Sequence, residues 1–255
     1  SKDRGFVVST PKIKTLKEVM SNRPALSKEA WESFNKFLRI WCNDLPKDDD
    51  NNIRDTLTNY YREALRDYVQ FLCYTGLRCG ECSVIKYKDV SYQADQNNNK
   101  YAVINVRAEE IGARKTGSRK AIGLDKYIET IIKRRKKASG FNGDNDYIFA
   151  HPIERIPSRL QGTRIKSFKK SFNNAVYEWS KYDTKLGTTE INGERITLGI
   201  WRHQYAHFRL SLAKVDIYHL AISLGHSVSV CEKYYSHSRP EQFGGELGRL
   251  IDTNP

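Results

Sequence analysis

The chain has 255 residues and is strongly basic, with 43 lysines and arginines against 30 aspartates and glutamates and a net charge of +13. This excess favours a polyanionic partner such as nucleic acid over an acidic membrane, because neutralised phosphates release condensed counterions. A basic but otherwise ordinary enzyme is the alternative. No apolar run has transmembrane length and no signal peptide opens the sequence, so we expect no membrane partner and a cytoplasmic or otherwise intracellular location.

The five cysteines are odd in number and scattered, which argues against a disulfide framework and favours a reduced setting. Cys79-Gly-Glu-Cys82 has the C-x-x-C spacing of a zinc knuckle or redox pair. No second such pair and no paired histidines follow at metal-ligand spacing. We therefore expect neither a metal nor another cofactor.

The first half of the chain predicts an arm followed by two helices. Residues 1–21 are polar and lysine-rich, as in an arm or interdomain linker. Ser27 is a plausible N-cap for a helix with apolar residues at helical spacing, namely Trp31, Phe34, Leu38 and Trp41. After an acidic loop at 44–52, a second amphipathic helix ends at Thr75-Gly76, and its apolar face comprises Tyr61, Leu65, Tyr68, Val69 and Leu72.

The middle of the chain changes to short β-prone runs at 89–92, 101–106 and 120–124, separated by turn-rich segments. They predict a small antiparallel sheet of about three strands. Helical patterns then return, first on Ile128, Ile131 and Ile132 and then on Ile165, Phe168, Phe172, Val176 and Trp179. Residues 183–197 predict a hairpin or a loose loop, and short helices follow up to Ser236. The fold class is therefore mainly α with one three-stranded antiparallel sheet (α+β).

The basic run at 133–137 has two interpretations. A charged run on a helix is usually a solvated face. In a nucleic-acid-binding protein, the same side chains, together with Lys166, Lys169 and Lys170, are also suited to contact the phosphate backbone without reading sequence.

Four segments in the same order resemble the catalytic domain of the tyrosine recombinases, the phage-integrase family. They are Thr75-Gly-Leu-Arg78-Cys-Gly-Glu81, the turn and strand from Lys115 to Leu124, Trp201-Arg202-His203, and Leu224-Gly-His226 with Tyr235 nine residues further on. Each motif is weak alone, but the ordered set is specific. The resemblance implies a catalytic domain at 22–239 and a C-terminal tail at 240–255 that packs on a neighbouring protomer.

The resemblance also implies a role for each matched residue. Arg78 and Arg202 are the two catalytic arginines, Glu81 supports Arg78, Lys115 is the hairpin lysine, His226 is the late histidine and Tyr235 is the nucleophile. Tyr234 competes with Tyr235 by adjacency. Arg114, Arg119 and Lys120 share the turn of Lys115. The alternative to a catalytic lysine is that all four side chains only contact phosphates.

One position departs from the family pattern. The family places a histidine three residues before the second arginine, where this chain has Gly199. His203 lies one helical turn beyond Gly199 and is a candidate to replace it in part, although a histidine directly after the arginine is common in the family without that role. Three consequences of Gly199 are open: the protein reacts more slowly, another group replaces the histidine, or the protein is an inactive relative of the family.

The resemblance implies a site-specific DNA recombinase or integrase that acts through a 3′-phosphotyrosyl intermediate without metal or ATP. It also implies double-stranded DNA as partner and a homotetramer on paired DNA sites. A type IB topoisomerase-like enzyme and a non-catalytic DNA-binding protein on a degenerate recombinase scaffold are the alternatives.

Overall fold

The computed structural model describes residues 25–43, 56–107 and 117–235. They form helices around a small sheet, which confirms the predicted fold class of a mainly α protein with a three-stranded antiparallel sheet. The predicted arm at 1–21 and tail at 240–255 lie outside the described residues. Within the described ranges, no helix is long and apolar enough to cross a membrane.

The first two helices, α1 (Lys28–Asn43) and α2 (Thr56–Thr75), confirm the predicted pattern. The Ser27 hydroxyl caps α1 by accepting a hydrogen bond from the Ala30 N–H at 3.1 Å. All four apolar residues that predicted α1 are buried, and on the predicted face of α2 only Tyr61 is partly exposed. Gly76 ends α2 with φ +67°, a left-handed conformation that suits glycine.

The three predicted strands are present as β1 (Val90–Ala94), β2 (Lys100–Val106) and β3 (Arg119–Gly123), with β2 in the centre. A short helix, α3 (Cys79–Cys82), and a 3-10 turn (Tyr87–Asp89) precede them. Along β3, Arg119, Ala121 and Gly123 turn inward, whereas Lys120 and Ile122 are exposed. The inward face of β3 therefore carries an arginine towards the rest of the fold.

The second half of the chain is helical except for one small hairpin. It contains α4 (Asp125–Ser139), a 3-10 turn (Ser158–Leu160), α5 (Lys169–Tyr182), the hairpin β4 (Glu190–Ile191) and β5 (Glu194–Arg195), α6 (Ile200–Ser211), α7 (Ile217–Leu224) and α8 (Val228–Tyr235). The hairpin interpretation of 183–197 is confirmed. Ile165 and Phe168 are buried as predicted but precede α5.

The basic run at 133–137 in α4 is only partly a solvated face. Arg135 is 1% exposed and its Nε donates to Asp67 Oδ2 at 2.8 Å, while Arg134 donates to Asp67 Oδ1 at 2.6 Å. The solvated-face interpretation is therefore wrong for Arg135, because a buried carboxylate on α2 attracts it inward, whereas Arg134 pairs with the same carboxylate and keeps 38% of its side chain exposed.

An aromatic core fixes the position of α6. The Trp201 ring packs on Trp31 at 5.0 Å between centroids, on Phe34 at 5.3 Å and on Phe172 at 5.9 Å. These rings belong to α1 and α5, so three helices meet at one indole. Because Trp201 points into this core, the next residue, Arg202, is held at a fixed place beside the ends of α2 and α7.

Candidate active site

Arg202 lies at the centre of the candidate site and is 6% exposed. One guanidinium nitrogen donates to the Gly76 carbonyl at 2.6 Å, and the other donates to the Leu224 carbonyl. Both carbonyls belong to helix C-termini, where carbonyl groups lack intrahelical partners and the helix dipole favours a cation. Arg202 thus joins the ends of α2 and α7 through one charged group.

Glu81 in α3 binds two arginines at once. Its carboxylate accepts two hydrogen bonds from Arg119, at 2.8 and 2.7 Å, and one from the Arg78 guanidinium at 2.9 Å. The Arg78 backbone N–H also donates to it at 2.8 Å. The Glu81 side chain is 2% exposed, whereas that of Arg78 is 37% exposed. Glu81 therefore holds Arg78 in place while part of the Arg78 side chain remains exposed to solvent.

The electrostatics of Glu81 follow from these contacts. Burial favours the neutral carboxyl, but the hydrogen bonds and charge of Arg119, together with those of Arg78, outweigh it and lower the pKa of Glu81 to about 2. The carboxylate is therefore ionised at neutral pH and acts as a permanent anchor for the two cations.

His226 completes the described part of the site. Its Nε2 lies 2.9 Å from an Arg202 guanidinium nitrogen, and because arginine only donates, this nitrogen accepts and the Nδ1 atom carries the proton. Burial disfavours the imidazolium, and the charges of Arg202, Arg78, Arg119 and His203 add to this effect, so the pKa of His226 falls to about 4. His226 is therefore neutral at physiological pH.

The start of β3 is attached to the end of α7 beside His226. Arg119 Nε donates to the Ser223 carbonyl at 3.2 Å, and the Ser223 hydroxyl accepts from the Ile122 N–H at 3.2 Å. Gly225, with φ +66°, lies so close to Arg119 that an added Cβ would be 2.7 Å from its Cδ atom. Arg119 therefore links α3, β3 and the end of α7 at the site.

The interpretation in which Arg119 only touches phosphates is wrong, because its guanidinium is paired with Glu81 and its side chain is only 10% exposed. The sequence holds one signal for this inward role. On a strand, side chains alternate, and Arg119 shares its face with the small residues Ala121 and Gly123 rather than with exposed Lys120.

The structure brings Arg78, Glu81, Arg202 and His226 together, and the charge of His203 acts on the same histidine. Lys115 lies outside the described residues. The backbone of Tyr234 and Tyr235 belongs to α8, but their side chains lie outside what the structure describes. The assignment of the hairpin lysine and of the nucleophile therefore stays a prediction.

Gly199 is the N-cap of α6, with φ −64° and ψ −21°. These angles are accessible to any residue. A Cβ placed there would meet only the Thr197 hydroxyl oxygen, at an ordinary 3.5 Å. Neither the backbone nor the packing therefore demands glycine where the family has a histidine.

The C-x-x-C pair has a structural environment. Cys79 is partly buried and Cys82 fully buried in α3, and burial raises the pKa of both thiols. The Tyr68 hydroxyl donates to the Cys79 carbonyl at 2.6 Å. In the described part of the chain, no three His, Cys, Asp or Glu side chains are grouped closely enough to hold a metal ion.

The fold defines a class of protein: the chain has the fold of tyrosine recombinase catalytic domains. No protein-family model and no curated protein matches the sequence. The likeness is therefore one of structure.

Three solved structures illustrate the likeness. The XerH site-specific recombinase bound to its difH substrate has a TM-score of 0.57 at 16% identity, covering 92% of this chain and 56% of XerH. The Tn1549 transposon integrase in complex with circular intermediate DNA has a TM-score of 0.56 at 20% identity, covering 92% and 70%. The XerA recombinase has a TM-score of 0.53 at 19% identity, covering 89% and 66%. The chain thus spans a little over half the length of XerH.

Proposed function

We propose that this chain is the catalytic domain of a site-specific DNA recombinase or integrase, which cleaves and rejoins double-stranded DNA through a 3′-phosphotyrosyl intermediate. The observation that carries the proposal is the clustering of Arg78, Arg202 and His226, which are far apart in sequence. Arg202 contacts His226, the charges of both arginines act on that histidine, and buried Glu81 holds Arg78. The likeness to recombinases solved with DNA and the net charge of +13 support the same substrate class.

The two arginines suit the charge that develops in phosphoryl transfer. Attack on a phosphodiester concentrates negative charge on the non-bridging oxygens, and guanidinium groups offer fixed donors that stabilise it. Preorganisation matters because donors held in place need not reorganise during the reaction. Glu81 and two helix C-termini supply that rigidity to Arg78 and Arg202.

The proposed nucleophile is Tyr235. Its hydroxyl oxygen attacks phosphorus, the phosphotyrosyl bond forms and the bond to the 5′-oxygen breaks. Lys115, as general acid, gives the leaving oxygen its proton. Rejoining reverses these steps when a 5′-hydroxyl attacks the phosphotyrosine. Because the covalent intermediate retains the bond energy, the proposed reaction requires neither ATP nor a metal ion.

His226 has a role that depends on the occupant of the site. Without DNA it is neutral and accepts from Arg202. A phosphodiester beside it would raise its pKa, because an adjacent negative charge favours the imidazolium. We infer that substrate binding converts His226 from an acceptor into a donor towards the phosphate.

A covalent trapping experiment tests the proposal on many target sequences at once. A pool of nicked suicide duplexes with a randomised core is incubated with the chain, and protein–DNA adducts are recovered under denaturing conditions and sequenced. Wild type and Tyr234→Phe should both form adducts, and Tyr235→Phe should form none. If Tyr234→Phe alone abolishes the adduct, the nucleophile is misassigned; if wild type forms none, the enzymatic function is wrong.

Gly199 favours a second candidate, a non-catalytic DNA-binding protein on the same scaffold. The two candidates differ in their response to restoring the histidine. Because the position accepts a side chain, Gly199→His should raise the rate of adduct formation at least tenfold if the remaining site is active, since a positioned acid–base group contributes about 100-fold or more. Gly199→Ala is the matched control for the backbone change. A DNA-binding protein without catalysis would form no adduct with either variant.

A further inference from the structure

A cavity of about 460 Å³ lies between α1, α2 and α4, within the size range of small-molecule sites. Four cationic side chains line it: Arg39, Arg66, Lys126 and Arg134. None of the described residues that line it carries a carboxylate. We call this cavity the basic pocket. Its lining alone predicts an anionic occupant.

The charge of the basic pocket is poorly compensated from within the fold. Asp67, which is fully buried, is the carboxylate to which Arg66 and Arg134 donate, and Arg135 occupies its other oxygen. Arg135 has a second carboxylate, Glu63, at 3.8 Å. Against the four lining cations, Asp67 leaves an excess of three positive charges. Concentrated charge of one sign in a concave site raises the local concentration of a counterion.

Two of the four cations are available to a ligand. In the described part of the chain, Arg39 and Lys126 are exposed and have no side-chain hydrogen bond or ion pair. Arg134, by contrast, is oriented by Asp67 and by Gln70 at 3.2 Å. The pocket thus combines one preoriented guanidinium with two exposed cations, a set suited to a compact anion of multiple charge.

Aromatic rings adjoin these cations. Tyr74 and Tyr127 line the pocket with ring centroids 4.6 Å apart, and Tyr127 is 54% exposed. Burial raises the pKa of Tyr74, so its hydroxyl remains a donor at physiological pH. The open ring of Tyr127 offers a face on which a base can stack.

The basic pocket is separate from the candidate active site. Arg119 begins β3 beside Glu81, whereas Lys126 and Tyr127 follow the other end of that strand. Four residue steps along a strand cover about 13 Å. From this placement and chemistry, we propose that the basic pocket is a second phosphate-binding site, which takes the phosphate of a nucleotide, either free or within a DNA strand.

Calorimetric titration of the whole chain with ADP tests the proposal. The double variant Arg39→Gln/Lys126→Gln removes two lining charges at exposed positions and should weaken ADP binding at least about tenfold. Its matched control, Lys181→Gln/Lys185→Gln, removes the same charge from exposed positions at and just beyond the end of α5 and should leave the affinity within about twofold. Unchanged thermal unfolding of both variants verifies that they fold.

Each outcome decides the question. Loss of binding in the pocket variant alone supports the site. If ADP affinity falls equally in both variants, the binding reflects the net charge of the protein and not this pocket. If ADP affinity is unchanged in the pocket variant, ADP does not bind there. Either result overturns the proposal. A short duplex then separates the two sources: release of pocket-bound ADP by the duplex assigns the phosphate to DNA, and retention assigns it to a free nucleotide.

Discussion

Glu81 is buried beneath the candidate site and pairs with two of its arginines. Its carboxylate is the shared partner of Arg78 and Arg119, and Arg119 in turn contacts the end of α7. An unpaired buried carboxylate costs about 3–5 kcal/mol of folding free energy. We therefore expect loss of one of its partners to disturb the other. The position of Arg78 therefore depends on a carboxylate that is itself buried.

This dependence is measurable as a pH effect on stability. The pKa of Glu81 is lowered from 4.5 to about 2, so its ionised form stabilises the fold at pH values above 4.5 by about 3 kcal/mol. Glu81→Gln should lower the free energy of unfolding by a similar amount at pH 7, measured by urea denaturation. The difference from wild type should shrink as the pH falls from 4.5 towards 2.

Glu178→Gln is the control for this comparison. Glu178 lies 3.7 Å from Lys181 on an exposed helix face, and such pairs contribute less than about 1 kcal/mol. A Glu81→Gln difference that stays constant between about pH 5 and about pH 2.5 would contradict the assigned electrostatics.

At the scale of elements, Trp201 fixes the position of α6, and the next residue, Arg202, belongs to the candidate site. Trp201 is 1% exposed among the rings of α1 and α5, and its indole N–H has no hydrogen-bond partner among the described residues. The helix is thus oriented by shape alone at this point. Because Arg202 is the next residue, a change in the packing of Trp201 should also shift Arg202.

Substitutions at Trp201 should separate shape from hydrogen bonding. Trp201→Ala should lower the free energy of unfolding by about 3–5 kcal/mol, because it leaves a cavity in the core. Trp201→Phe should cost less than half of that, since a ring remains and no hydrogen bond is lost. Urea denaturation measures both, with exposed Tyr218→Ala as a control expected within about 0.5 kcal/mol. Equal costs for the two Trp201 variants would refute this explanation.

The elements themselves were predictable from the sequence, and the network between them was not. Helical spacing predicted α1 and α2, and β-prone runs predicted the sheet, because a local pattern reports which face is buried. The partnership of Glu81 with Arg119 joins positions 38 residues apart, and no periodicity encodes it. The pairing of Arg134 and Arg135 with Asp67 depends in the same way on a carboxylate that is distant in sequence.

At the scale of the whole molecule, the proposed activity requires assembly on DNA. The tail at 240–255 carries a short apolar pattern of Phe243, Leu247, Leu250 and Ile251, and we propose that it packs on a neighbouring protomer. A contact between protomers affects pairing of DNA sites without touching the chemistry within one protomer.

Deleting residues 240–255 should therefore reduce synapsis by at least about tenfold while changing adduct formation on a single site by less than about threefold. Sedimentation of the DNA complexes measures synapsis, and the suicide duplex measures adduct formation. Replacing the four apolar residues by serine in the otherwise unchanged chain is a second test and should reproduce the effect of the deletion. Assembly that is unchanged in both would disprove the proposed role of the tail.

Gly225 lies so close to Arg119 that an uncharged substitution at this position can disrupt the candidate site. A methyl group at position 225 would collide with the Arg119 side chain at 2.7 Å and would also strain a backbone with φ +66°. Alanine there removes no charge, donor or acceptor, yet it would displace the arginine that holds Glu81. The pairing of Arg119 with Glu81 therefore requires that residue 225 has no Cβ atom. A mutation can disrupt this ion pair without changing any ionisable residue.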